Sequence, residues 1–529
     1  PPTKMPLFKS TRGGTERVTF EQAILSGYAP DGGLFVPESL PTITHTELHQ
    51  WKHKSFPDIC ALVLSKIIQS EIPLPVLNQI TSAAFATFEQ HHGSPLPLVR
   101  VSSAAPHLSF LETFHGPTLA FKDIGLQVLA RLVNYFLKKK NGHATILMET
   151  SGDTGPAALS AAANLNNLEM YCLYPKDRVS RVQELQCTTA SPLANNLHVY
   201  RTEGTTDDQA ATIKAMFQDR AFVEQYHCCS MNSINVGRIA TQSSYYVYTY
   251  LQAVEQIGDP IDLAIPTGAF GNALGGYWSK KMGLPIRSLI IATNANDICH
   301  RAIASGDFSP QLSVATVSPA MDIQLPYNFE RFLHCLLDGS NGKGGRASRE
   351  LTPLLAIQPD GSRRLPLSIV NQIKAEGIVS IRVNDADTLR TVQRYWEKEQ
   401  YVLDPHSAIG VLAAEKYLQT QSKHQKKGTH AVQCVAVLTA HPSKFEEATK
   451  QAIGTVLESR IPARVQILDT LKQKYDTRLG PPKGRATLGG SAIPEWIQIL
   501  KNDIIQRDVA RTLELERRRR TASKATSKL

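Results

Sequence analysis

The sequence predicts an α/β protein whose parallel sheets are covered by helices on both faces. From about residue 96 onward, short apolar runs typical of buried strands alternate with longer helical segments, as they do in strand–helix–strand units. The length of 529 residues exceeds what one ordinary core supports, so two or three structural units are expected.

Six apolar runs are predicted as strands of these sheets. Helical segments follow several of them, including "PAALSAAANL" after the first run and "ALGGYWSKKMG" after the fourth. The predicted strands are 143–149, 169–175, 197–203, 262–266, 288–293 and 433–440. This alternation favours parallel pairing, because parallel neighbours need a long crossover connection that is usually a helix.

Three segments of different character divide the chain. Residues 1–95 combine short helical patterns with the turn-rich stretch "YAPDGGLFVPESLP", which predicts an N-terminal α/β domain. Residues 96–455 are the predicted core, with a small subdomain at roughly 131–244 and a large subdomain formed by the rest. Residues 456–529 are predicted to be a C-terminal extension that ends in a helical, basic and partly disordered tail.

Charge and composition narrow the classes of protein. The net charge is +10, and residues 501–529 carry nine Lys/Arg and four Asp/Glu, so about half of the positive excess lies in the tail. Because runs of charge are usually just solvated, a nucleic-acid partner is not expected. No run of apolar residues is long enough for a membrane span. Eight cysteines without a CxxC pair predict free thiols in a reducing compartment. We expect a cytoplasmic protein that is a monomer or a homodimer and that holds no metal.

Two loops stand where α/β proteins bind ligands, between the carboxyl end of a strand and the next helix. The first is "TSGDTGPAA", in which Gly152 and Gly155 allow the backbone to approach a ligand closely. Ser151 and Thr154 add hydroxyl groups, and the free N–H groups of the helix start would hold a carboxylate or phosphate. An ordinary helix cap built from small residues is the alternative interpretation.

The second loop is "PTGAFGNALGG", which again leads from a predicted strand into a helix. Gly268 and Gly271 flank two residues whose amide groups could converge on one anion. A tight strand–helix turn is the alternative. Two such loops in one parallel-sheet protein are stronger evidence for a binding site than either loop alone.

A single lysine suggests the chemistry of this site. In "HGPTLAFKD", Lys122 directly follows the apolar residues Ala120 and Phe121. It is either a surface lysine that reaches for solvent or an enclosed amine. An enclosed amine titrates low and is nucleophilic near neutral pH, as a Schiff base with pyridoxal phosphate requires.

Six motifs then resemble those of the threonine synthase family, both the fungal and bacterial threonine synthases and the vertebrate threonine synthase-like proteins. They are "HGPTLAFKD", "TSGDTG", "NSINVGRI", "PTGAFGNALGGY", "SPAMDIQLPYNFER" and "YVLDPHSAIGV". The resemblance runs from "STRGGTERVTF" to "LTAHPSKFEEATKQAI", which is most of the chain. It implies a fold type II pyridoxal-phosphate enzyme, similar to the β subunit of tryptophan synthase, with the cofactor in a cleft of residues 96–455.

The resemblance also implies roles for individual residues. Lys122 would form the Schiff base with pyridoxal 5'-phosphate, and Phe121 would lie near the ring. Thr439 would hydrogen-bond the pyridine nitrogen, and Asn235 would contact the ring oxygen. The loop residues would be Gly268, Ala269, Phe270, Gly271 and Asn272 at the cofactor phosphate, and Ser151, Gly152, Asp153 and Thr154 at the substrate.

Other polar residues have less specific expectations. Lys176 and Arg331 are candidates for the phosphate of the substrate, with an ordinary salt bridge as the alternative for each. His115 and His406 are expected to be hydrogen-bonded structural histidines, and Asp404 to cap a helix. The tyrosine run that begins at Tyr245 is expected to pack a helix rather than to bind a ligand.

The implied activity is that of a lyase acting on a small phosphorylated amino acid, O-phospho-L-homoserine, to give L-threonine. The alternatives are a phospho-lyase that releases 2-oxobutanoate, ammonia and phosphate, or a specialised elimination or replacement on a related amino acid. Pro156, Val236 and Ala269 depart from the family's usual serine, tryptophan and asparagine, so the substrate is less certain than the cofactor. A hypothesis from a different class is a relative that binds the cofactor without turnover.

Overall fold

The computed structural model describes most of the chain. The described residues are 7–14, 16–101, 105, 107–339, 345–424, 432–455, 458–482 and 490–526. Within them the chain forms an N-terminal α/β unit, a six-stranded sheet and a five-stranded sheet.

The N-terminal unit is a small antiparallel pair of strands with four helices. Its strands are β1 (Phe8–Ser10) and β2 (Phe35–Pro37), and its helices are α1 (Phe20–Ile24), α2 (His45–Trp51), α3 (Phe56–Ile68) and α4 (Leu74–Phe85). Threonine or serine side chains cap the starts of the first three helices. The apolar faces of α3 and α4 pack into the same core cluster as the helices of the central region, so the unit shares its core with the rest of the protein.

The larger sheet has the strand order β11-β10-β9-β12-β4-β3. All its pairs are parallel except β3 with β4. Its strands are β3 (Leu98–Arg100), β4 (Leu108–Glu112), β9 (Ile261–Pro266), β10 (Ile286–Thr293), β11 (Ile378–Arg382) and β12 (Gln433–Leu438). Because β9, β12 and β4 are adjacent and parallel, the loops that leave their carboxyl ends meet at one edge of the sheet.

The smaller sheet has the order β13-β7-β6-β5-β8, and every pair in it is parallel. Its strands are β5 (Ala144–Glu149), β6 (Leu168–Pro175), β7 (Leu197–Thr202), β8 (Cys228–Cys229) and β13 (Asp476–Leu479). All six residues of β5 are buried, as expected for a central strand covered on both faces.

Helices of the central and C-terminal regions cover and extend these sheets. They are α5 (Lys122–Lys140), α6 (Thr154–Ala162), α7 (Arg181–Ala190), α8 (Thr206–Gln218), α9 (Arg220–Gln225), α10 (Val236–Ala253), α11 (Gly271–Lys281), α12 (Ile298–Ser305), α13 (Asn328–Asp338), α14 (Ala347–Leu355), α15 (Leu367–Ala375), α16 (Asp385–Glu399), α17 (Pro405–His424), α18 (Glu446–Ile453), α19 (Ala463–Gln466) and α20 (Pro494–Thr526). In the described part of the chain, none of them is long and apolar enough to cross a membrane.

The six predicted strands are present, each within two residues of its predicted ends. Sequence reasoning missed six others, β1, β3, β4, β8, β11 and β13, which are two to five residues long. In β13 the middle residues Thr477 and Arg478 are exposed, so the strand lacks an apolar signature. The domain boundaries at 95 and 455 and the small subdomain at 131–244 remain predictions.

The C-terminal segment is more closely integrated than an appended tail would be. Strand β13 pairs with β7, and the buried Trp496 of α20 packs in the core cluster of the smaller sheet. Helix α20 extends to Thr526, into the tail that the sequence predicts to be helical, basic and partly disordered. Only 527–529 of this predicted disordered tail lie outside the described residues.

Candidate active site

A cavity lies where the carboxyl ends of β4, β9 and β12 face the carboxyl end of β5. Eleven of the predicted site residues line it, and they come from four separate loops and helix starts. They are Phe121, Lys122, Ser151, Asp153, Thr154, Gly268, Ala269, Phe270, Gly271, Asn272 and Thr439. The sheet topology therefore brings together residues that lie up to 318 positions apart in the sequence, as between Phe121 and Thr439.

Lys122 is an enclosed amine rather than a surface lysine. It is the first residue of α5, it is only 9% exposed, and its Nζ lies 5.6 Å from the centroid of the Phe121 ring. Burial lowers the pKa of Lys122 from 10.5 to about 8, and the positive charges of Arg238 and Lys444 act in the same direction, whereas Asp153 opposes the shift. A fraction of the amine is therefore neutral and nucleophilic near neutral pH.

Asp153 is held as a buried carboxylate between two lysines. Lys444 Nζ lies 2.8 Å from Asp153 Oδ1, and Lys122 Nζ lies 3.9 Å from Oδ2. Gln183 also donates a hydrogen bond to Oδ1 at 2.8 Å. Burial by itself would raise the pKa of Asp153, but Lys444 and Lys122 outweigh it and hold the pKa well below its usual range. Sequence reasoning missed Lys444, although it lies within the motif "LTAHPSKFEEATKQAI".

The "TSGDTG" loop depends on glycine at one position. The backbone φ of Gly152 is +144°, a value that residues with a side chain rarely adopt. An added Cβ would also lie 2.6 Å from Gln183 Nε2. The Thr150 hydroxyl accepts hydrogen bonds from the Gly152 and Gly155 amides, and this fixes the loop from within. Gly152 thus shapes the loop, while Ser151, Asp153 and Thr154 line the cavity.

The start of α11 has the form of an anion-binding site. Phe270 precedes the helix with a φ of +66°, a left-handed conformation that is unusual for a residue other than glycine. It turns the chain so that the first N–H groups of an eleven-residue helix face the cavity. The ring of Phe270 is buried against Phe329 and Phe332, and this packing offsets the cost of the strained backbone.

Asn272, the second residue of α11, is oriented by two tyrosines. The hydroxyls of Tyr245 and Tyr246 both donate hydrogen bonds to Asn272 Oδ1, the second at 2.6 Å. Because the oxygen is occupied, the amide nitrogen is directed elsewhere, and Nδ2 is buried with no hydrogen-bond partner among the described residues. The tyrosines are buried in helix packing, as the sequence predicts, and they also position a residue of the cavity wall.

Further unpaired polar atoms surround the same space. Arg238 Nε and Gln242 Oε1 are buried without a partner among the described residues, and both side chains line the cavity. Burial lowers the pKa of Arg238 to about 10, so its guanidinium is still charged at neutral pH. Unpaired donors beside a helix start are costly in a protein alone and fit a polar, anionic ligand. The residues present therefore fit a phosphate-bearing cofactor.

Thr439 follows β12 and is fixed by backbone contacts to the loop that carries Lys122. The Phe121 amide donates to the Thr439 carbonyl at 2.8 Å, and the Thr439 amide donates to Ser407 Oγ at 2.9 Å. Asp404 accepts hydrogen bonds from the Ser407 amide and hydroxyl. Asp404 therefore holds Ser407 in place, and Ser407 in turn holds Thr439. Asp404 thus acts at the start of α17, in line with the predicted cap.

Asn235 is one of four predicted site residues that do not line the cavity, the others being Gly152, Lys176 and Arg331. Asn235 caps α10: its side-chain oxygen accepts from the Gly237 amide at 3.0 Å, and Nδ2 donates to the carbonyls of Ile24 and Ser230. With both polar atoms engaged, it is not positioned to contact a ring oxygen. The neighbouring Asn232 of the same "NSIN" motif lines the cavity instead. The motif indicated the right loop but did not decide which asparagine faces inward.

Arg331 is a structural residue in this geometry. It is fully buried, and its guanidinium donates to the carbonyls of Phe35, Ser233 and Ile234 and to Asn328 Oδ1. These contacts tie α13 to the N-terminal unit and to the "NSIN" loop. The prediction that Arg331 binds the substrate phosphate does not fit, because four of its five N–H donors are already used and it does not line the cavity.

The two histidines differ in their relation to the cavity. His406 lines it, accepts a hydrogen bond at Nε2 from the Ala320 amide at 3.2 Å, and contacts Asp404 Oδ1 through Nδ1 at 2.9 Å. Both ring nitrogens are therefore engaged. His115 contacts Glu112 at 2.7 Å and lies outside the cavity.

A wider cleft of about 760 Å³ adjoins the cavity. Ser151 and Thr206 line both spaces, so the cleft is continuous with the cavity. Lys176 and Arg178 line the cleft, and Lys176 lies 3.8 Å from Glu203 in a half-exposed ion pair. Lys176 is therefore near the entrance and not beside Lys122.

A buried lysine of lowered pKa between a glycine loop and an anion-binding helix start, at the carboxyl edge of parallel strands, is the arrangement of a pyridoxal-phosphate-dependent enzyme of fold type II. Family comparisons agree. Residues 90–352 match the family "Pyridoxal-phosphate dependent enzyme", residues 7–85 match "Threonine synthase N terminus", and residues 407–479 match "Threonine synthase, C-terminal". The chain belongs to the threonine synthase family.

Individual relatives show the same relationship over nearly full length. "Threonine synthase-like 2" of Pongo abelii is 38% identical over 468 residues, which cover 87% of this chain and 92% of the relative. Threonine synthase of Schizosaccharomyces pombe is 36% identical over 85% of this chain and 89% of the relative. The crystal structure of pyridoxal-phosphate-bound threonine synthase from Brucella melitensis is 33% identical, with a TM-score of 0.80 over 94% of this chain and 98% of that one. The predicted family, fold and cofactor are confirmed.

Proposed function

We propose that the protein is a lyase that eliminates phosphate from O-phospho-L-homoserine and adds water to give L-threonine. The observation that carries the proposal is that the buried amine of Lys122 faces the same cavity as the anion-binding start of α11. This arrangement provides an attachment point for the cofactor aldehyde and a separate site for the cofactor phosphate. The family's fungal members, such as the Schizosaccharomyces pombe threonine synthase, support this choice of substrate and product.

Each group of residues in the cavity would have a separate role. The residues 268–272 would hold the cofactor phosphate, Phe121 would lie near the ring and the Thr439 hydroxyl would meet the ring nitrogen. When bound, pyridoxal phosphate supplies a covalent anchor for the substrate amine and a sink for electrons. Lys122, with its pKa of about 8, would accept the proton from the substrate Cα and hold it at Nζ.

The substrate would lie against the "TSGDTG" loop. Ser151 and Thr154 offer hydroxyls to its carboxylate beside the start of α6, and Asp153 is kept anionic by Lys444. The substrate phosphate would extend toward the outer cleft, where Lys176 and Arg178 provide positive charge. This places the scissile Cγ–O bond between the enclosed cavity and the wetter entrance.

Incubation of the purified holoenzyme with O-phospho-L-homoserine tests the proposal. We expect stoichiometric release of inorganic phosphate and L-threonine, measured by a phosphate assay and by chromatography of amino acids. The variant Lys122→Ala is expected to release neither product. A wild-type enzyme that leaves O-phospho-L-homoserine intact would contradict the proposal.

A second candidate is the phospho-lyase that forms 2-oxobutanoate, ammonia and phosphate. The comparisons favour it to the extent that the threonine synthase-like 2 proteins are as similar to this chain as the fungal threonine synthases. Three pocket or near-pocket residues, Pro156, Val236 and Ala269, also depart from the usual synthase pattern. The same incubation separates the two, because 2-oxobutanoate in place of threonine identifies the phospho-lyase.

A further inference from the structure

One buried carboxylic acid in the cavity has no role in the scheme above. Glu149 is the last residue of β5, it is 5% exposed, and it lines the cavity together with Lys122 and Thr439. Its Oε1 accepts hydrogen bonds from Asn232 Nδ2 at 2.6 Å and from the Tyr327 hydroxyl at 3.1 Å. Both of these donors are on Oε1, and no hydrogen bond from another described residue to Oε2 accompanies them.

Charged and titratable groups approach Glu149 from several elements. Arg238 approaches from α10, Asp207 from α8 and Tyr327 from the start of α13, and Tyr28 follows α1. Burial raises the pKa of Glu149 to about 7 and Asp207 acts in the same direction, whereas its own backbone amide, the Tyr327 hydroxyl and Arg238 oppose the shift. The group thus has accessible acid and base forms near neutral pH, as general acid–base catalysis requires.

The other ionisable side chains of the cavity are already committed. Asp153 is held anionic by two lysines, and its lowered pKa makes it a poor proton acceptor. His406 uses both ring nitrogens, on Ala320 and Asp404.

The remaining groups keep their protons. Tyr327 donates to Glu149 and has a pKa raised well above its usual value by burial, and Arg238 stays charged. Among the described residues that line the cavity, Lys122 and Glu149 are the two whose pKa is shifted to about 8 and about 7.

The proposed reaction needs two proton removals, first at Cα and then at Cβ. We propose that Glu149 is the second catalytic base, accepting the Cβ proton while Lys122 serves Cα. The Cβ–H bond breaks, its electron pair forms the Cβ–Cγ double bond, and the Cγ–O bond breaks with its pair leaving on the phosphate. The proton resides on Oε2 of Glu149, which can then return it to Cγ and recover the carboxylate.

This inference rests on the proposed function and adds a residue to it. Asn232 and Tyr327 are positioning residues, since they hold Oε1 and so fix the direction of Oε2. The backbone carbonyl of Glu149 also accepts from Asn232 Nδ2 at 2.9 Å, which fixes the asparagine in turn.

The test compares the holoenzyme of wild type with Glu149→Gln, which keeps the shape and an acceptor oxygen but removes the base. In D₂O with O-phospho-L-homoserine, we expect phosphate release by Glu149→Gln to fall about 100-fold or more. Exchange of the substrate Cα proton for deuterium, followed by ¹H NMR, is expected to stay within about threefold of wild type because Lys122 is intact. Wild-type phosphate release in Glu149→Gln would overturn the inference and leave the proposed function standing.

A matched control and two measurements on the apoenzyme complete the test. Glu415→Gln removes another buried glutamate that accepts from a tyrosine hydroxyl, Tyr395, but lies outside the cavity, so its phosphate release should equal that of wild type. In the apoenzymes, infrared titration should show a carboxyl band with a midpoint near pH 7 in wild type and Glu415→Gln and not in Glu149→Gln. Apo Glu149→Gln should also bind pyridoxal phosphate with wild-type affinity.

The remaining outcomes all count against the inference. Loss of Cα exchange together with phosphate release in Glu149→Gln, or loss of cofactor binding, would show that Glu149 shapes the site and is not the second base. Absence of the titrating carboxyl band from the wild-type apoenzyme would also overturn it. A wild-type enzyme that releases no phosphate would overturn both this inference and the proposed function.

Discussion

Lys444 Nζ lies 2.8 Å from Asp153 Oδ1, and the two side chains are 0% and 4% exposed. The more distant amine, that of Lys122, lies 3.9 Å from the other oxygen of the same carboxylate. Lys444 is the nearer cation, and it lowers the pKa of Asp153 more than Lys122 does. Asp153 raises the pKa of Lys122, and the positive charge of Lys444 offsets part of that effect.

The reactivity of Lys122 should depend on pH in a predictable direction. Its pKa of about 8 means that the amine loses its proton as the pH rises through 8, and only the neutral form attacks an aldehyde. We expect the rate of Schiff-base formation with added pyridoxal phosphate to rise with pH and to reach half its maximum near pH 8. Stopped-flow absorbance of the apoenzyme measures this rate through the absorbance band of the Schiff base. The variant Lys122→Ala should not develop that band. A midpoint near 10.5 would mean that burial does not tune the lysine.

Removal of Lys444 should move that midpoint. In Lys444→Met the carboxylate of Asp153 is left with Lys122 as its nearest cation, so the pKa of Lys122 and the midpoint of Schiff-base formation should rise. Breaking a buried ion pair on one side also costs about 3–5 kcal/mol of stability. The double variant Asp153→Asn with Lys444→Met should recover part of this stability in denaturant unfolding. An unchanged midpoint in Lys444→Met would show that the pair does not influence the amine.

The tyrosines that orient Asn272 should influence cofactor affinity. Tyr246→Phe removes one donor to Asn272 Oδ1, at a cost of about 1 kcal/mol, which corresponds to about fivefold weaker binding of pyridoxal phosphate. Equilibrium titration of the apoenzyme measures the dissociation constant. Tyr248→Phe on the same helix is the control, because that hydroxyl contacts Ser94 and not Asn272. Equal affinities for the two variants would count against the role of Tyr246 in orienting Asn272 for the cofactor.

Substitutions of Arg331 and Lys176 should have different effects, the first on the stability of the protein and the second on substrate binding. Arg331→Met leaves three backbone carbonyls without their donor, so we expect a loss of at least about 3 kcal/mol in stability and an unchanged KM in the folded fraction. Lys176→Met should raise KM for O-phospho-L-homoserine and leave stability within about 0.5 kcal/mol, as at most surface positions. Thermal unfolding and steady-state kinetics measure the two effects. A raised KM with normal stability in Arg331→Met would restore it as a substrate ligand.

Local signals in the sequence predicted much of the fold. The strands β5, β6, β7, β9, β10 and β12 are apolar runs of five to eight residues, long enough to be distinguished from their surroundings. The missed strands are shorter, and four of them, β3, β8, β11 and β13, lie at the edges of the two large sheets. Their strand conformation depends on a neighbouring strand and not on their own residues.

The candidate site shows the same division. Lys122 and the two glycine loops could be found because their residue types are unusual at those places in the chain. Asn232, Arg238, Glu149 and Lys444 were missed, although each lies in or next to a motif of the family. Their importance depends on which side chains face the cavity, and a motif does not specify this.

The sequence by itself determined the family, the cofactor and the fold type, because periodicity, turn chemistry and the order of motifs are properties of the chain. Tertiary structure alone decided the partners of each ionisable group. It placed Lys444 beside Asp153, enclosed Glu149 and assigned Arg331 to backbone carbonyls, although the chain separates these partners by up to about 300 residues. The physical reason is that burial and charge at a site depend on distances in space, which the folded sheets set.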